Sequence, residues 1–335
     1  MRLSEEFLYL LRKALRQAQG PEVLADADES VWRAIATIAV EQKVSGLIGD
    51  AVSGLPEEIA IPDEQFLFFV AEKEKAAMQG RKMAATSQAV VGMFEAVGLH
   101  PLVMKGPSTS RFYPKPELRS YGDIDLYFHK EEFGKALELV RSESGFKMAG
   151  DGSFHFKKDG VDVDVHDRYY DLHRPEESLP EVPSPEANLL MLSAHAMKHA
   201  CGTGVGIRQI CDYAMACRAL EGQFDPQRLL EIFKKAGLRK WNDLLASFIS
   251  QRLGIEVPCC KVVSDTPLLR IIEEGGNFGH YASGRDKALE KSEAGRKADT
   301  VKRFLKRIPF SMKYAPSETL RTVASLTVGN FKKNA

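Results

Sequence analysis

No stretch of this chain approaches the roughly eighteen apolar residues that a bilayer-spanning helix requires. Its start, Met1-Arg2-Leu3-Ser4-Glu5-Glu6, is acidic and polar, which does not fit the basic and then apolar pattern of a signal peptide. A cytoplasmic location is the resulting expectation. Cysteines are few: Cys201, Cys211, Cys217, Cys259 and Cys260 are odd in number and show no Cys-x-x-Cys spacing. That pattern argues against both a disulfide framework and a zinc site, and the five read as small core residues. Net charge is also missing, since 46 Lys and Arg balance 46 Asp and Glu. The balance hides a basic tail, because between Arg296 and Ala335 ten Lys or Arg face only Asp299 and Glu318. Such a tail can contact nucleic acid or anionic lipid. The preferred reading is a solvated basic helix docked on the body through Phe304, Leu305, Ile308 and Phe310. No internal repeat is visible.

What is present is an ordinary globular composition, 44% apolar and 27% charged. At 335 residues the chain can bury a large core and divide into two or three domains. Phe7, Leu10, Leu11, Ala14 and Leu15 fall at helical spacing after Ser4, and Gly20-Pro21 ends that run. A second helix fits Ser30 to Ile48. A long helical pattern from Pro62 to Val97 has a candidate break at Gly80 and a natural C-terminal stop at Gly98. Strand 101–105, a short helix near 107–113, strand 123–128, helix 130–144 and strands near 146–149, 153–158 and 161–167 follow. Past Pro180, Pro183 and Pro185 the pattern turns helical, with segments at 186–200, 206–220, 226–236 and 239–252. Short strands flanked by helices predict an α+β fold with a mixed sheet.

The densest chemistry lies in Asp123-Ile124-Asp125. Two carboxylates one residue apart on a strand project from the same face and repel, which is costly unless a cation neutralises them. Close hard oxygens suit Mg²⁺ or Mn²⁺. Upstream, Leu102-Val103-Met104-Lys105-Gly106-Pro107-Ser108 reads as a strand opening into a loop, whose N–H groups and Ser108 hydroxyl can meet phosphate oxygens at a helix start. Downstream, Asp159-Gly160 is a tight-turn signal between two alternating arms. The second arm puts Val161, Val163 and Val165 on one face and Asp162, Asp164 and His166 on the other. A third carboxylate, Asp162 or Asp164, can thus be presented to whatever Asp123 and Asp125 hold.

The order Lys105-Gly106, Arg119, Asp123-Ile124-Asp125, Asp164-Val165-His166 resembles the nucleotidyltransferase fold of the DNA polymerase β superfamily. It is most similar to an uncharacterised bacterial branch marked by Lys-Gly, Asp-x-Asp and Asp-Leu-His. The likeness covers about residues 84 to 215, including the segment with His195, Lys198, His199, Arg208 and Asp212. Two features depart from the superfamily pattern: Pro107 follows Gly106 and removes one N–H, and fourteen residues separate Ser108 from Asp123. The resemblance implies a nucleotidyltransferase core at 84–180, after an N-terminal helical region at 1–83. A helical domain at 181–265 and a basic extension at 266–335 complete the expected organisation.

It further implies transfer of a nucleoside monophosphate from a nucleoside triphosphate to an acceptor hydroxyl, with pyrophosphate leaving in line. Asp123, Asp125 and Asp164 would hold Mg²⁺ or Mn²⁺, and Asp164 would also accept the acceptor's proton; the branch pattern favours Asp164 over Asp162. Gly106 and Ser108 would meet the β and γ phosphates. Lys105 and Arg119 would either stabilise triphosphate charge or serve as structural ion-pair partners. His166 would orient Asp164 or simply end the strand, and Lys198 is a candidate to reach the nucleotide. His195 and His199 share a helix face but lack the Glu of a zinc-protease motif, so they read as packed or hydrogen-bonded histidines. Gly202-Thr203-Gly204-Val205-Gly206 follows no strand and reads as a helix connection. Two other function classes fit the same residues: a catalytically degenerate nucleotide sensor, and a nucleotide-adding enzyme that uses the basic tail on nucleic acid.

Overall fold

A computed structural model describes residues 2–16, 20–173, 178–258, 260–276 and 293–331, without side-chain detail at 293–301 and 325–331. The chain forms two compact units, one of Glu5–Val40 with Val44–Tyr169, the other of Tyr170–Ala335 with Met1–Ser4 and Glu41–Lys43. The first unit carries all the strands among the described residues.

Helices α1 (Glu5–Ala14), α2 (Glu29–Glu41), α3 (Ser45–Ser53) and α4 (Asp63–Glu95) precede the sheet. The single helix expected over 30–48 is divided between α2 and α3. The chain takes a left-handed turn at Lys43 (φ 58°), and the Val44 N–H closes back on the Ala39 carbonyl. Buried Gln42 shows why: within the second unit its amide accepts from the Ile207 N–H at 2.7 Å and donates to the Ile272 carbonyl at 3.3 Å. These distant bonds satisfy a buried amide that a continuous helix would have carried elsewhere.

Helix α4 runs unbroken past Gly80, and Gly98 adopts φ 77° just beyond its end. Gly80 is a point of close approach, since a Cβ there would meet the Glu117 carbonyl oxygen at 2.2 Å. Glu117 belongs to the 3-10 turn Pro116–Leu118 that leads into Arg119. Gly80→Ala is therefore expected to destabilise the protein by about 3 kcal/mol, the upper range for overpacking against an element that cannot yield. Thermal melting followed by circular dichroism checks this; an unchanged midpoint would contradict the close approach.

The sheet is built from β1 (Leu102–Val103), β2 (Ile124–Tyr127), β3 (Lys147–Met148), β4 (Phe154–Lys158) and β5 (Val161–His166), in the order β1-β2-β5-β4-β3. All neighbours are antiparallel except β2 and β5, which run parallel. Helices α5 (Pro107–Ser110) and α6 (Lys130–Val140) follow β1 and β2; both are shorter than the sequence pattern predicted. Asp159 (φ 51°) and Gly160 (φ 73°) make the two-residue turn of the β4-β5 hairpin, with the left-handed pair of angles that matches strand twist.

Alternation then sorts the two faces. Ile124, Leu126, Phe154, Phe156, Val163 and Val165 are fully buried with Val90 and Phe94 of α4 and Ala136 and Val140 of α6. Phe94 meets Phe128 edge to face at 4.9 Å. Each such aromatic contributes about 1.5–3 kcal/mol by leaving water. With its apolar residues committed to one face, the sheet presents Asp125, His155, Asp164 and His166 from the other.

The second unit is helical: α7 (Pro185–Cys201), α8 (Ile207–Ala219), α9 (Pro226–Lys235), α10 (Arg239–Phe248, continued by a π turn Ile249–Leu253), α11 (Thr266–Gly275), α12 (Glu293–Tyr314) and α13 (Pro316–Phe331). Cys201, Cys211 and Cys217 are buried as expected; Cys260 is half-buried and accepts from the Asn242 amide, and Cys259 lies outside the described residues. In the basic segment Phe310 packs edge-on against Trp241 at 6.5 Å, whereas Leu305 is exposed. Lys332 and Lys333 of the expected tail lie outside the described residues. The overall class is α+β, a five-stranded mixed sheet with helices on both sides of it in sequence.

Candidate active site

The parallel pairing of β2 with β5 sets Asp125 directly opposite Asp164. Asp125, Asp164 and His166 each offer a ligand atom, and these atoms lie within 4.8 Å of one another. The Lys105 Nζ reaches Asp125 Oδ1 at 2.9 Å, with both side chains largely out of solvent. His166 Nε2 lies 3.4 Å from the same oxygen without hydrogen-bond alignment, and it is buried with no hydrogen-bond partner. His155 Nδ1 approaches Asp164 Oδ1 at 3.2 Å.

Charge in this cluster is poised unevenly. Burial pushes the Asp125 carboxyl upward, but the Lys105 ammonium and His166 outweigh it and hold Asp125 well below the ordinary carboxylate range. Asp164 moves the other way. Burial and the neighbouring Asp125 charge raise it, against opposing contributions from His155 and His166. Two carboxylates side by side, with one lysine between them and neutrality, have room for further positive charge. Two hard oxygens and a buried imidazole nitrogen lacking a hydrogen bond fit a divalent cation.

Other residues singled out in the sequence take varied places. Asp123 is half-buried one position ahead of β2, and the converging ligand set contains Asp125 rather than both residues of the pair. Asp162 is exposed and pairs with its cross-strand neighbour Lys157 at 2.8 Å. Gly106 adopts φ 66°, and a Cβ there would sit 3.1 Å from the Asp123 carbonyl oxygen. Only glycine lets the loop turn this closely against the strand entry. The Ser108 hydroxyl donates to the Met104 carbonyl at 3.0 Å. Arg119 is buried, donates to the Ser120 carbonyl and stacks over Tyr121 at 5.4 Å.

In the helical unit Lys198 binds Asp171 at 2.6 Å, and His195 Nδ1 meets the other oxygen of the same carboxylate at 3.1 Å. His195 and His199 stack edge to face at 4.5 Å, which matches packed, hydrogen-bonded histidines. Sequence reasoning missed His155. Its signal was available in the turn: counting outward from Asp159-Gly160 pairs 158 with 161, 157 with 162 and hence 155 with 164.

A mixed sheet carrying opposed aspartates beside a Lys-Gly loop defines a nucleotidyltransferase-like protein. The model of an uncharacterised nucleotidyltransferase family matches residues 28–254, and the chain belongs to that family. No curated protein and no solved structure matches it. Membership makes nucleotidyl transfer the reaction class and a nucleotide the substrate, in a family that typically uses a divalent metal. Among the described residues, no helix is long and apolar enough to cross a membrane.

Proposed function

We propose that the sheet unit moves a nucleoside monophosphate from a nucleoside triphosphate to an acceptor hydroxyl of a small molecule, sugar or protein, releasing pyrophosphate. The observation that supports this best is the register that sets Asp125 opposite Asp164 beside half-buried His166. Asp125 and Asp164, which converge with His166, would hold Mg²⁺ or Mn²⁺, and Asp123, two positions before Asp125, would join them as a third carboxylate. When bound, the ion stabilises negative charge on the attacking and leaving oxygens.

The protein's own groups do the rest. Asp164, whose carboxyl is raised by its surroundings, is suited to take the proton from the acceptor hydroxyl. Asp164 is preferred to Asp162 because Asp162 is exposed and tied to Lys157. Gly106 lets the loop backbone approach the β and γ phosphates, and Ser108 turns its hydroxyl from the Met104 carbonyl towards them. Lys105 and Arg119 supply positive charge beside the triphosphate. Lys198, whose amine Asp171 engages in the helical unit, is the further candidate to reach the nucleotide.

The deciding assay measures pyrophosphate release from ATP, CTP, GTP and UTP with Mg²⁺ or Mn²⁺ in the presence of lysate metabolites and proteins, with mass spectrometry locating the added mass. The expected result is release with one triphosphate and a mass gain of one nucleotide on the acceptor. Binding without turnover in every combination would replace this reading with a nucleotide sensor.

A further inference from the structure

A charged cavity lies in the sheet unit, and its lining includes none of the carboxylate cluster. It is an open cleft of about 350 Å³ lined by Lys13, Arg16, Asp50, Ser53, Lys73 and Lys115 among others. Lys13 stands in the last turn of α1 and Arg16 just beyond it; Asp50 and Ser53 are on α3, and Lys73 is on α4. Lys115 comes from the loop that joins α5 to the turn before Arg119.

Four cationic side chains therefore face one carboxylate. Lys73 and Lys115 both bind Asp50 Oδ1, at 3.2 and 2.7 Å. One carboxylate cannot neutralise two ammonium groups. Lys13 and Arg16 carry no salt bridge among the described residues. The ends of α1 and α3 reach the same cleft and bring about half a negative charge each. About two positive charges remain, concentrated in a concavity large enough for one or two phosphate groups.

We propose that this cleft binds a small phosphate-bearing anion of charge about −2 to −3, held by Lys13, Arg16, Lys73 and Lys115. Like charges this close persist where an anion joins them, and forked or ammonium donors converging on one space suit tetrahedral oxyanions. The site is independent of the nucleotidyl-transfer reading, since none of its lining residues is in the cluster around Asp125. Two sources share the chemistry: free inorganic pyrophosphate, and a phosphorylated metabolite.

The test is isothermal titration calorimetry on the full chain in chelator, with inorganic pyrophosphate, inorganic phosphate and glucose 6-phosphate as separate probes. Binding that weakens about tenfold or more in the Lys13→Ala/Lys115→Ala double variant, and survives in Asp125→Asn, is the expected result. Tighter binding of pyrophosphate identifies the inorganic source; tighter binding of glucose 6-phosphate identifies the metabolite. The single variant Lys13→Gln, which leaves the Asp50 pairs in place, should weaken binding with an unchanged melting temperature. Absence of binding by all three probes, or binding lost in Asp125→Asn and intact in the double variant, overturns the proposal.

Discussion

Asp125→Asn should lower pyrophosphate release by about 10³-fold or more, the scale seen when one group that holds transition-state charge is removed. The same substitution carries a separate structural cost. Lys105 loses its buried partner, and an uncompensated ammonium in that position destabilises by about 3 kcal/mol. The pH dependence separates the two effects. The Asp125 carboxyl is held low in the folded protein, so its stabilisation is fully present above the unfolded carboxylate value of about 4 and is lost as pH falls below it. The melting-temperature advantage of the unsubstituted protein over Asp125→Asn should therefore be widest near neutrality and shrink in acid. Undiminished turnover in a folded Asp125→Asn protein would remove this residue from the catalytic centre.

Lys105→Met should make stability depend on metal. Without the ammonium, Asp125 and Asp164 face each other with no fixed cation between them, and the melting temperature in chelator should drop. Adding Mn²⁺ or Mg²⁺ at about a hundred times its dissociation constant contributes about 2.7 kcal/mol, or roughly 5–10 °C for a unit of this size. At the same metal concentration the gain should exceed that of the unsubstituted protein, in which the lysine already neutralises part of the charge. Identical metal responses in the two proteins, measured by differential scanning fluorimetry, would argue against a cation at these carboxylates.

Much of this arrangement was legible in the chain because it is local. The alternation of Val161, Val163 and Val165 with Asp162, Asp164 and His166, and the turn at Asp159-Gly160, rest on a period of two and on left-handed angles that those residues tolerate. The long α4 was legible for the same reason. What stayed hidden depends on distant partners. Gln42 interrupts a good helical pattern for bonds to Ile207 and Ile272, more than 160 residues away. Gly80 looks like a helix breaker until Glu117 is placed against it. Nothing in a spacing rule reveals that Lys105 turns to Asp125 while Ser108 turns back to Met104, because both outcomes follow from where the folded backbone leaves an acceptor.

The two ladders that flank Asp164 impose different constraints on future change. Its distance from Asp125 is set by the parallel ladder with β2, whereas its contact with His155 is set by the length of the turn at 159–160. Lengthening that turn by one residue would slide β4 and rotate His155 to the other face, yet would leave the two aspartates opposite each other. The same slip would turn Phe154 and Phe156 out of the core, so the imidazole beside Asp164 is held by the burial of its two strand neighbours, and the carboxylate pair by the parallel ladder alone.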